Sequence, residues 1–597
     1  MNIKNLFWFC TLNLACWCLA ALVYFFTSGF YGDVPGVLFT IFSIPGQFFL
    51  FAAGLFILAA PWRAVGPRAA FAAAVSWGVL FNLFIAADIF VYTQYRFHIS
   101  MAMLELFFGP AGREIFVFPV ITYILLGLCA LAGVAWVFGL AFLSRKVIWG
   151  QKAAVRLLAG MLVCVFIYNG MHAWGKFMMV PSVLAQVSYL PWANPMSANR
   201  KLRKLGFEPK SEPYSMPKKG TLNYPLAPMQ CTGGEKPNIL IILIDSWRAD
   251  SFTPEVTPQI DKAFKNQKDA YYFTNHLSGG NATEAGMFSL FYSMPYAYWD
   301  SFTGLHQPPV FITELQKFGY QLGIFGSSKL NSPEFNQNIF ASVPDLRIES
   351  KGSTKIERDL DIQKDFTQFI KDRDKKKPFF GFLFYDSAHG QEFPQDGEVF
   401  KPTAGQMNYL TLTKNTDPTP YMNRYKNSVY FIDGLIGRVF ALLKEQGLEK
   451  NTVIILSGDH GQEINDTRNN FWGHNSNFAK WQTHVPLLVW WPGKKGETLT
   501  YRTSHYDLVP ALLSDALDCT NPPADYSIGY NLFDPQPRPF TLISSYTKKA
   551  VQVGDKLSVI DNYSYLDNYD ENYQKTEQSV SPKALSDAFK TFSKFYK

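Results

Sequence analysis

The sequence predicts two parts of different class: an N-terminal membrane domain of five helices and a C-terminal α/β domain whose largely parallel central sheet is flanked by helices. Apolar runs of about twenty residues, the length that crosses a hydrocarbon core of about 30 Å, recur five times before residue 175. Residues 1–190 hold 10 Lys and Arg and 4 Asp and Glu, whereas the remaining 407 residues hold 45 and 44. From Pro237 onward, strand-like runs alternate with amphipathic helical patterns, which is typical of an α/β domain.

The five apolar runs predict a membrane domain over residues 1–174. They lie near residues 5–28, 34–60, 69–94, 116–143 and 153–174. The first run has no small-residue cleavage site and further runs follow it, so we do not expect it to be removed as a signal peptide. The loop cations that fall on one side of the membrane are Lys4, Arg63, Arg68, Arg145, Lys146, Lys152 and Arg156. Because cytoplasmic loops are rich in Lys and Arg, we predict a cytoplasmic N-terminus and a periplasmic C-terminal domain in a Gram-negative cell.

Two ionisable residues lie in the predicted spans. Asp88 is within the third span and His172 is near the end of the fifth. Such residues often have a function in membrane proteins, but a position near the interface with water is the simpler explanation for both. Of the seven cysteines, only Cys231 and Cys519 lie outside the predicted spans. An oxidising compartment permits a disulfide between these two, but the sequence does not establish one.

Residues 175–235 are rich in Pro, Ser and Lys and predict an interfacial linker that cannot form one continuous helix. A basic cluster lies in this linker and consists of Arg200, Lys201, Arg203 and Lys204, interleaved with Leu202, Leu205 and Phe207. Clustered cations beside a membrane favour anionic lipids, and Arg binds phosphate through two hydrogen bonds. Lipid A, with phosphates and several acyl chains, fits both kinds of side chain. A solvated linker helix is the alternative.

Residues 236–597 predict the α/β domain. Strand-like runs occur at Ile239–Ile244, Tyr320–Phe325, Phe379–Tyr385, Val453–Leu456 and Val485–Trp491. Two of these runs end in candidate metal ligands: NILIILI is followed by Asp245, and the stretch SGDHGQE delivers Asp459 and His460. Open α/β sheets bind ligands at the carboxyl ends of their strands, and carboxylate and imidazole are ligands for Mn, Mg and Zn. We therefore predict one divalent ion, Mn or Mg before Zn, although turn or capping roles would also explain these residues.

A glycine-rich turn places Thr283 at the start of a helical pattern, in HLSGGNATEAGMF. A hydroxyl at a helix N-terminus lies where phosphate groups bind, and a metal ion can activate it as a nucleophile. We predict that Thr283 is both a catalytic residue and a metal ligand, with an ordinary N-cap as the alternative. His389, in FYDSAHG, and His474, in FWGHN, are predicted to bind phosphate oxygens or protonate a leaving group. Each is equally compatible with an ordinary surface or core histidine.

The segments that carry these residues resemble the alkaline phosphatase and sulfatase superfamily. The resemblance extends over most of residues 237–530 and includes PNILIILIDSWRAD, KPFFGFLFYDSAHG, SGDHGQE, HVPLLVWWPG and SHYDLVPALL. Within the superfamily, the chain looks closest to membrane-anchored lipoteichoic acid synthases and phosphoethanolamine transferases, which place five spans before an exported catalytic domain. The resemblance implies that Asp245, Thr283, Asp459 and His460 correspond to the metal ligands and nucleophile of these enzymes.

The chain departs from true sulfatases at the nucleophile. Sulfatases need Cys or Ser within C/S-x-P-S-R, and this chain reads T-E-A-G-M from Thr283. They also use paired aspartates where this chain has Asp245 and Ser246. We therefore do not expect sulfate ester hydrolysis.

Taken as a whole, the five spans, basic linker and divergent domain are similar to a family of regulatory inner-membrane proteins. That resemblance implies a sensor of lipopolysaccharide that restrains lipopolysaccharide synthesis through LapB and the FtsH-dependent turnover of LpxC. The motifs alone favour a metal-dependent phosphatase or phosphotransferase that acts on lipid head groups. Transport of cardiolipin or another anionic lipid would use the same basic cluster, and no feature indicates a nucleic acid partner.

Overall fold

The computed structural model of the chain describes residues 1–100, 104, 120–178, 180–208, 221–265, 267–409, 411–561 and 565–597. It divides into two compact units, residues 1–215 with 560–566 and residues 216–559 with 567–597. The predicted linker, residues 175–235, contributes to both units, and its residues 179 and 209–220 lie outside the described part. The domain boundaries at residues 174 and 235 stay a prediction.

Five helices in the first unit are long and apolar enough to cross a membrane. They are α1 (Ile3–Ser28), α2 (Val34–Ala59), α3 (Pro67–Tyr95), α4 (Val120–Lys146) and α5 (Gln151–Phe177). Two short helices follow, α6 (Pro181–Val187) and α7 (Asn199–Lys204). Many large apolar side chains of α4 and α5 are exposed, as expected of helices surrounded by lipid. The predicted five spans are thus confirmed as five apolar helices, and residues 116–119 of the fourth predicted run lie outside the described residues.

Asp88 of α3 is completely buried inside the first unit. Its carboxylate accepts hydrogen bonds of 2.7 Å from the Tyr24 hydroxyl and of 2.7 Å from the Ile99 backbone N–H. His98 Nδ1 lies 2.7 Å from the same carboxylate, and His98 Nε2 lies 3.2 Å from the Ser188 carbonyl oxygen. A buried carboxylate with several donors is compensated for the loss of water. Asp88 therefore joins α1, α3 and the turn after α6.

From residue 216 onward, the described part of the chain contains fifteen strands and ten α-helices. The strands are β1 (Asn238–Ile244), β2 (Ala270–Phe273), β3 (His276–Leu277), β4 (Gln321–Gly326), β5 (Phe379–Tyr385), β6 (Thr452–Gly458), β7 (Glu463–Ile464), β8 (Trp472–Gly473), β9 (Leu487–Trp490), β10 (Thr498–Leu499), β11 (Thr503–Ser504), β12 (Thr541–Ser544), β13 (Lys548–Val553), β14 (Lys556–Asp561) and β15 (Leu566–Asp570). The helices are α8 (Pro258–Lys265), α9 (Thr283–Tyr292), α10 (Trp299–Leu305), α11 (Val310–Lys317), α12 (Lys355–Asp372), α13 (Ser387–Gly390), α14 (Thr419–Glu445), α15 (Lys480–Thr483), α16 (Leu508–Ala511) and α17 (Pro582–Thr591).

A seven-stranded sheet forms the centre of the second unit, in the order β10-β2-β9-β6-β1-β5-β4. The pairs of β1 with β5, β1 with β6, β4 with β5 and β10 with β2 are parallel. Strand β9 is antiparallel to both of its neighbours, β2 and β6. The predicted α/β class with a largely parallel central sheet is therefore confirmed, and all five predicted strand-like runs form strands of this sheet.

Helices cover both faces of the sheet because its central strands are apolar on both sides. Alternate residues of β1 contribute to two hydrophobic cores: Ile239 and Ile241 to one, Leu240 and Ile242 to the other. Helix α9 packs into the first core and helix α14 into the second. Fully buried parallel strands are expected to read as continuous apolar runs, as β1 and β5 do.

Cys231 and Cys519 form a disulfide that links positions 288 residues apart in the chain. The bond lies in the second unit, where Cys519 packs into the first core. A cross-link that closes a long loop stabilises the folded state by typically about 2–4 kcal/mol. The pairing that the sequence left open is therefore present, as an oxidising compartment permits.

Three histidines of the second unit have a buried ring nitrogen: His276, His484 and His505. The rings of His276 and His505 are 5.3 Å apart, and His505 Nδ1 lies 3.2 Å from the Gly286 carbonyl oxygen. The Nε2 atoms of all three are buried and have no hydrogen-bond partner among the described residues. Burial lowers the pKa of His484 to about 3 and of His505 to about 4, and it holds the pKa of His276 well below its ordinary value.

These histidines predict a loss of stability in acid. The unfolded chain binds protons at these rings below about pH 6.5 whereas the folded chain does not, so the free energy of unfolding falls by about 1.4 kcal/mol per pH unit for each ring, until the folded pKa is reached. Urea denaturation of the full chain in detergent at pH 7 and pH 5 measures this loss. His505→Gln, whose amide can still donate to Gly286, should show a smaller loss than the parent. An equal loss in both proteins would contradict the assignment.

Candidate metal centre

The centre lies at the carboxyl ends of β1 and β6. These strands are parallel neighbours in which Ile244 pairs with Gly458, so the next residues, Asp245 and Asp459, emerge side by side. Both carboxylates are buried. Two buried like charges at adjacent strand ends are unfavourable unless a cation or proton compensates them.

Asp245, Asp459 and His460 converge on one point. His460 Nε2 lies 3.4 Å from Asp459 Oδ2 and 3.8 Å from Asp245 Oδ1, and one ligand atom from each residue lies within 4.8 Å of the others. The Thr283 hydroxyl lies 3.3 Å from His460 Nε2. The structure thus brings together all four residues that the sequence predicts as metal ligands.

The donor set fits a divalent ion. Asp459 Oδ2 is buried and has no hydrogen-bond partner among the described residues. Burial, followed by the Asp245 carboxylate, raises the pKa of Asp459 well above its ordinary value. Such a pair is stabilised by a cation, and carboxylate oxygens with one imidazole nitrogen suit Mn, Mg or Zn.

His460 has the form that a metal ligand requires. Its Nδ1 lies 2.8 Å from the Gly461 carbonyl oxygen, so Nδ1 carries the proton and Nε2 presents its lone pair to the centre. Burial lowers the pKa of His460 to about 4. The ring is therefore neutral at pH 7 and can bind a cation without first losing a proton.

Backbone N–H groups hold the Asp459 carboxylate in place, and a serine hydroxyl holds that of Asp245. Asp459 Oδ1 accepts hydrogen bonds from the backbone N–H groups of Ser246 (3.0 Å) and His460 (2.9 Å). The Ser246 hydroxyl donates to Asp245 Oδ1 at 2.8 Å. Ser246 adopts a left-handed conformation with φ 65°, which brings its N–H toward Asp459. One oxygen of Asp459 is thereby fixed and the other is directed into the centre.

Thr283 is the first residue of α9, and the N-cap position belongs to Ala282. The alternative role of Thr283 as an N-cap is therefore not observed, and its hydroxyl instead faces His460. Helix α9 can approach the Asp459 backbone closely because Gly286 has no side chain. A Cβ atom at Gly286 would lie 2.1 Å from the Asp459 carbonyl oxygen.

The two predicted catalytic histidines also border the centre. His389 Nδ1 in α13 lies 3.8 Å from Asp245 Oδ2 and 3.1 Å from Asp386 Oδ1. The His474 ring, just after β8, lies 4.3 Å from the His460 ring and 5.1 Å from the His389 ring. Burial, followed by the two neighbouring histidines, holds the pKa of His474 well below its ordinary value.

Four polar residues that sequence reasoning missed support the centre. Lys355 and Asp386 form a buried ion pair beside His389. Arg248 is buried and makes two hydrogen bonds to Asp466, of 2.9 and 3.0 Å, and one of 3.1 Å to the Gln462 carbonyl oxygen. Asp386 follows a predicted strand and could have been noticed for that reason. The pairing of Arg248 with Asp466 spans 218 positions and has no local signal.

Comparison with known proteins agrees with this architecture. Residues 237–517 match the model of the Sulfatase family, and residues 1–231 match a domain of unknown function, DUF3413. The C-terminal domain belongs to the alkaline phosphatase and sulfatase superfamily, whose members are typically metal-dependent.

Two relatives are similar over both domains. The chain is 23% identical to the inner membrane protein YejM of Salmonella typhimurium strain LT2, covering 95% of this chain and 92% of that protein. It is 24% identical to an uncharacterized protein of Haemophilus influenzae, covering 96% of this chain and 93% of that protein.

Among solved structures, a protein of the alkaline phosphatase superfamily from Vibrio parahaemolyticus matches with 18% identity and a TM-score of 0.45, covering 64% of this chain and 91% of that chain. The chain is thus a homologue of YejM, and with its five apolar helices it is an inner membrane protein.

The centre predicts that metal affinity depends on Asp459. Asp459→Asn keeps the size of the side chain but removes one ligand charge, so we expect the affinity of the purified full chain for Mn to fall by more than about 100-fold, since even residues that only orient metal ligands contribute about 10–100-fold. Isothermal titration calorimetry measures this change. Asp372→Asn, at an exposed carboxylate of α12, is the matched control and should bind Mn like the parent. Equal affinity of Asp459→Asn and the parent would contradict the assignment.

Proposed function

We propose that the C-terminal domain is a metal-dependent phosphatase or phosphotransferase that uses Thr283 as the acceptor of a phosphoryl group. The observation that supports this most directly is the position of the Thr283 hydroxyl, 3.3 Å from His460 Nε2 in a group that also contains Asp245 and Asp459. The expected ion is Mn or Mg, with Zn as the alternative. Once bound, it would supply Lewis-acid stabilisation and lower the pKa of a bound hydroxyl.

The other residues of the centre have distinct tasks in this proposal. Thr283 attacks the phosphorus atom from the N-terminus of α9, where backbone N–H groups favour phosphate oxygens. His389 binds these oxygens or protonates the leaving group, and Asp386 orients its ring through Nδ1. His474 Nδ1 lies 3.2 Å from the Gln462 side-chain oxygen, a contact that holds the His474 ring beside the His389 ring.

The substrate class is a phosphate ester, and we propose a lipid head group because the same chain carries five apolar helices. Sulfate esters are not proposed. Thr283 occupies the position at which sulfatases require Cys or Ser, and a threonine cannot become formylglycine.

We also propose that the chain senses lipopolysaccharide through the basic cluster Arg200, Lys201, Arg203 and Lys204. All four residues belong to α7, and Lys201, Arg203 and Lys204 are exposed. Phe207, just after α7, is exposed and packs edge to face on Trp174 of α5, with ring centroids 5.5 Å apart. Cations and an aromatic side chain therefore lie together at the end of a membrane helix, where anionic lipid with acyl chains would bind.

In this second proposal, binding of lipid A restrains lipopolysaccharide synthesis through LapB and the FtsH-dependent turnover of LpxC. The support is the resemblance of the whole chain to regulatory inner-membrane proteins. A periplasmic position of the C-terminal domain and the basic cluster, with the N-terminus in the cytoplasm, is part of the proposal and follows from the loop charges. The two functions are compatible, since a sensor can retain a catalytic domain.

Replacement of the proposed nucleophile, Thr283, tests whether the chain is catalytic. Thr283→Ala should abolish hydrolysis of a model phosphate ester by the Mn-loaded full chain, because a methyl group cannot attack phosphorus. Thr283→Ser keeps a hydroxyl and should retain measurable turnover. Thermal unfolding of both variants should match the parent closely, since Thr283 is not the N-cap of α9. Turnover of Thr283→Ala at the parental rate would assign the chemistry to another group.

Lipid sensing is tested by charge reversal. Arg200→Glu with Arg203→Glu should weaken binding of lipid A to the detergent-purified chain by about 30-fold or more, because each cation near a membrane contributes about 1 kcal/mol. The control is Lys375→Glu with Lys376→Glu, which changes the net charge equally at exposed residues of the other unit. All measurements use one ionic strength, since salt screens such contacts.

Three outcomes of this test differ in meaning. Weaker lipid A binding together with a changed cellular level of LpxC supports the sensor. Weaker binding of cardiolipin and lipid A alike favours a general anionic-lipid site. Unchanged lipid A binding by the double variant excludes the cluster as the sensor.

A further inference from the structure

A second set of possible metal ligands lies beside the first. Asp245, Asp386 and His389 each offer one atom within 4.8 Å of the others. Asp245 belongs to both sets, so the two positions would share a carboxylate. Asp386 is completely buried at the end of β5, and His389 lies in α13 directly after it.

The second position already has a cation. Lys355, the first residue of α12, is buried and donates a hydrogen bond from Nζ to Asp386 Oδ2. The Ser328 hydroxyl donates to the same oxygen at 2.6 Å. Asp386 is therefore a buried carboxylate that is paired with an ammonium.

The fold fixes Lys355 in this position. Thr354 and Glu357 form a capping box at the start of α12, and the Lys355 backbone N–H donates to Glu392 at 3.0 Å. The side chain then passes over Gly390, where a Cβ would lie 2.4 Å from Lys355 Cδ. The helix cap thus fixes the backbone of Lys355, and the absence of a side chain at Gly390 leaves room for the methylene groups of Lys355.

Charge balance explains the arrangement. The centre contains three buried carboxylates, those of Asp245, Asp386 and Asp459. One divalent ion and one ammonium neutralise them together. One further cation and one further carboxylate adjoin this group: Arg358 Nη2 lies 3.7 Å from Asp386, and the buried Asp359 carboxylate accepts hydrogen bonds from the backbone N–H groups of Asp386 and Ser387. A second divalent ion would add charge that no carboxylate in this group compensates.

We propose that the Lys355 ammonium occupies a second cation position formed by Asp245, Asp386 and His389, so that the centre takes one divalent ion and keeps a fixed lysine in place of another. This inference rests on the metal site proposed above. It gives Lys355 the role of a positioning residue: it holds Asp386, which in turn orients His389 toward the substrate.

The test is the number of Mn ions bound by the full chain in detergent, measured by calorimetry and elemental analysis. The parent should bind one ion per chain and give the six-line electron paramagnetic resonance spectrum of an isolated Mn ion. Lys355→Met removes the ammonium and should bind two ions, with the spin-coupled spectrum of a pair that shares the Asp245 carboxylate. Lys355→Met with Asp386→Asn removes a ligand as well and should return to one ion.

Two further variants keep the test decisive. Lys355→Arg retains the charge and should bind one ion. Lys355→Gln keeps a donor toward Asp386, and if Lys355→Met does not fold it replaces that variant, with two ions again expected. Two ions in the parent, or one ion in a folded Lys355→Met or Lys355→Gln, would overturn the inference while leaving the metal site itself intact. No ion in the parent would instead refute the proposed metal site and, with it, this inference.

Discussion

The second unit depends on one electrostatic constraint, the burial of Asp245 and Asp459 side by side. The parallel pairing of β1 with β6 fixes the two strand ends in register, so the two carboxylates cannot separate without breaking the sheet. In a water-poor site such a pair is costly unless a cation lies between its members. Asp459 Oδ2, which has no hydrogen-bond partner among the described residues, and the neutral His460 ring lie where such a cation would bind. The strand pairing therefore buries two like charges side by side and also forms the site at which a cation would compensate them.

The surrounding loops hold this arrangement through satisfied polar networks. Arg248, which follows β1, binds Asp466, which follows β7, and so ties together the two loops that carry Asp245 and Asp459. Glu463 is buried and accepts hydrogen bonds from Asn477 at 2.6 Å and from Gln482 at 3.0 Å. Buried polar networks of this kind specify one geometry because every member loses partners if it moves. The side chains of the candidate metal centre are thus held in one arrangement before any ligand binds.

Sequence patterns predicted what depends on local periodicity. The five spans and the central strands follow from apolar runs, and Asp245, Asp459 and His460 follow from their positions at strand ends. Periodicity could not reveal the antiparallel direction of β9, which depends on a tertiary pairing with β2 and β6. It also could not pair Lys355 with Asp386 or Arg248 with Asp466, since such contacts depend on how distant loops pack. The roles assigned to the site residues stay predictions, as does the lipid-binding function of the basic cluster.

The central claim is that Asp245, Asp459 and His460 bind one divalent ion next to Thr283. Anomalous diffraction at the Mn absorption edge, from crystals of the Mn-loaded protein, tests it most directly. We expect a single anomalous peak with ligand distances of about 2.0–2.2 Å to one oxygen of each aspartate, to the Thr283 hydroxyl oxygen and to His460 Nε2. A site at which Mn is absent, while the three side chains keep the present geometry, would contradict the account.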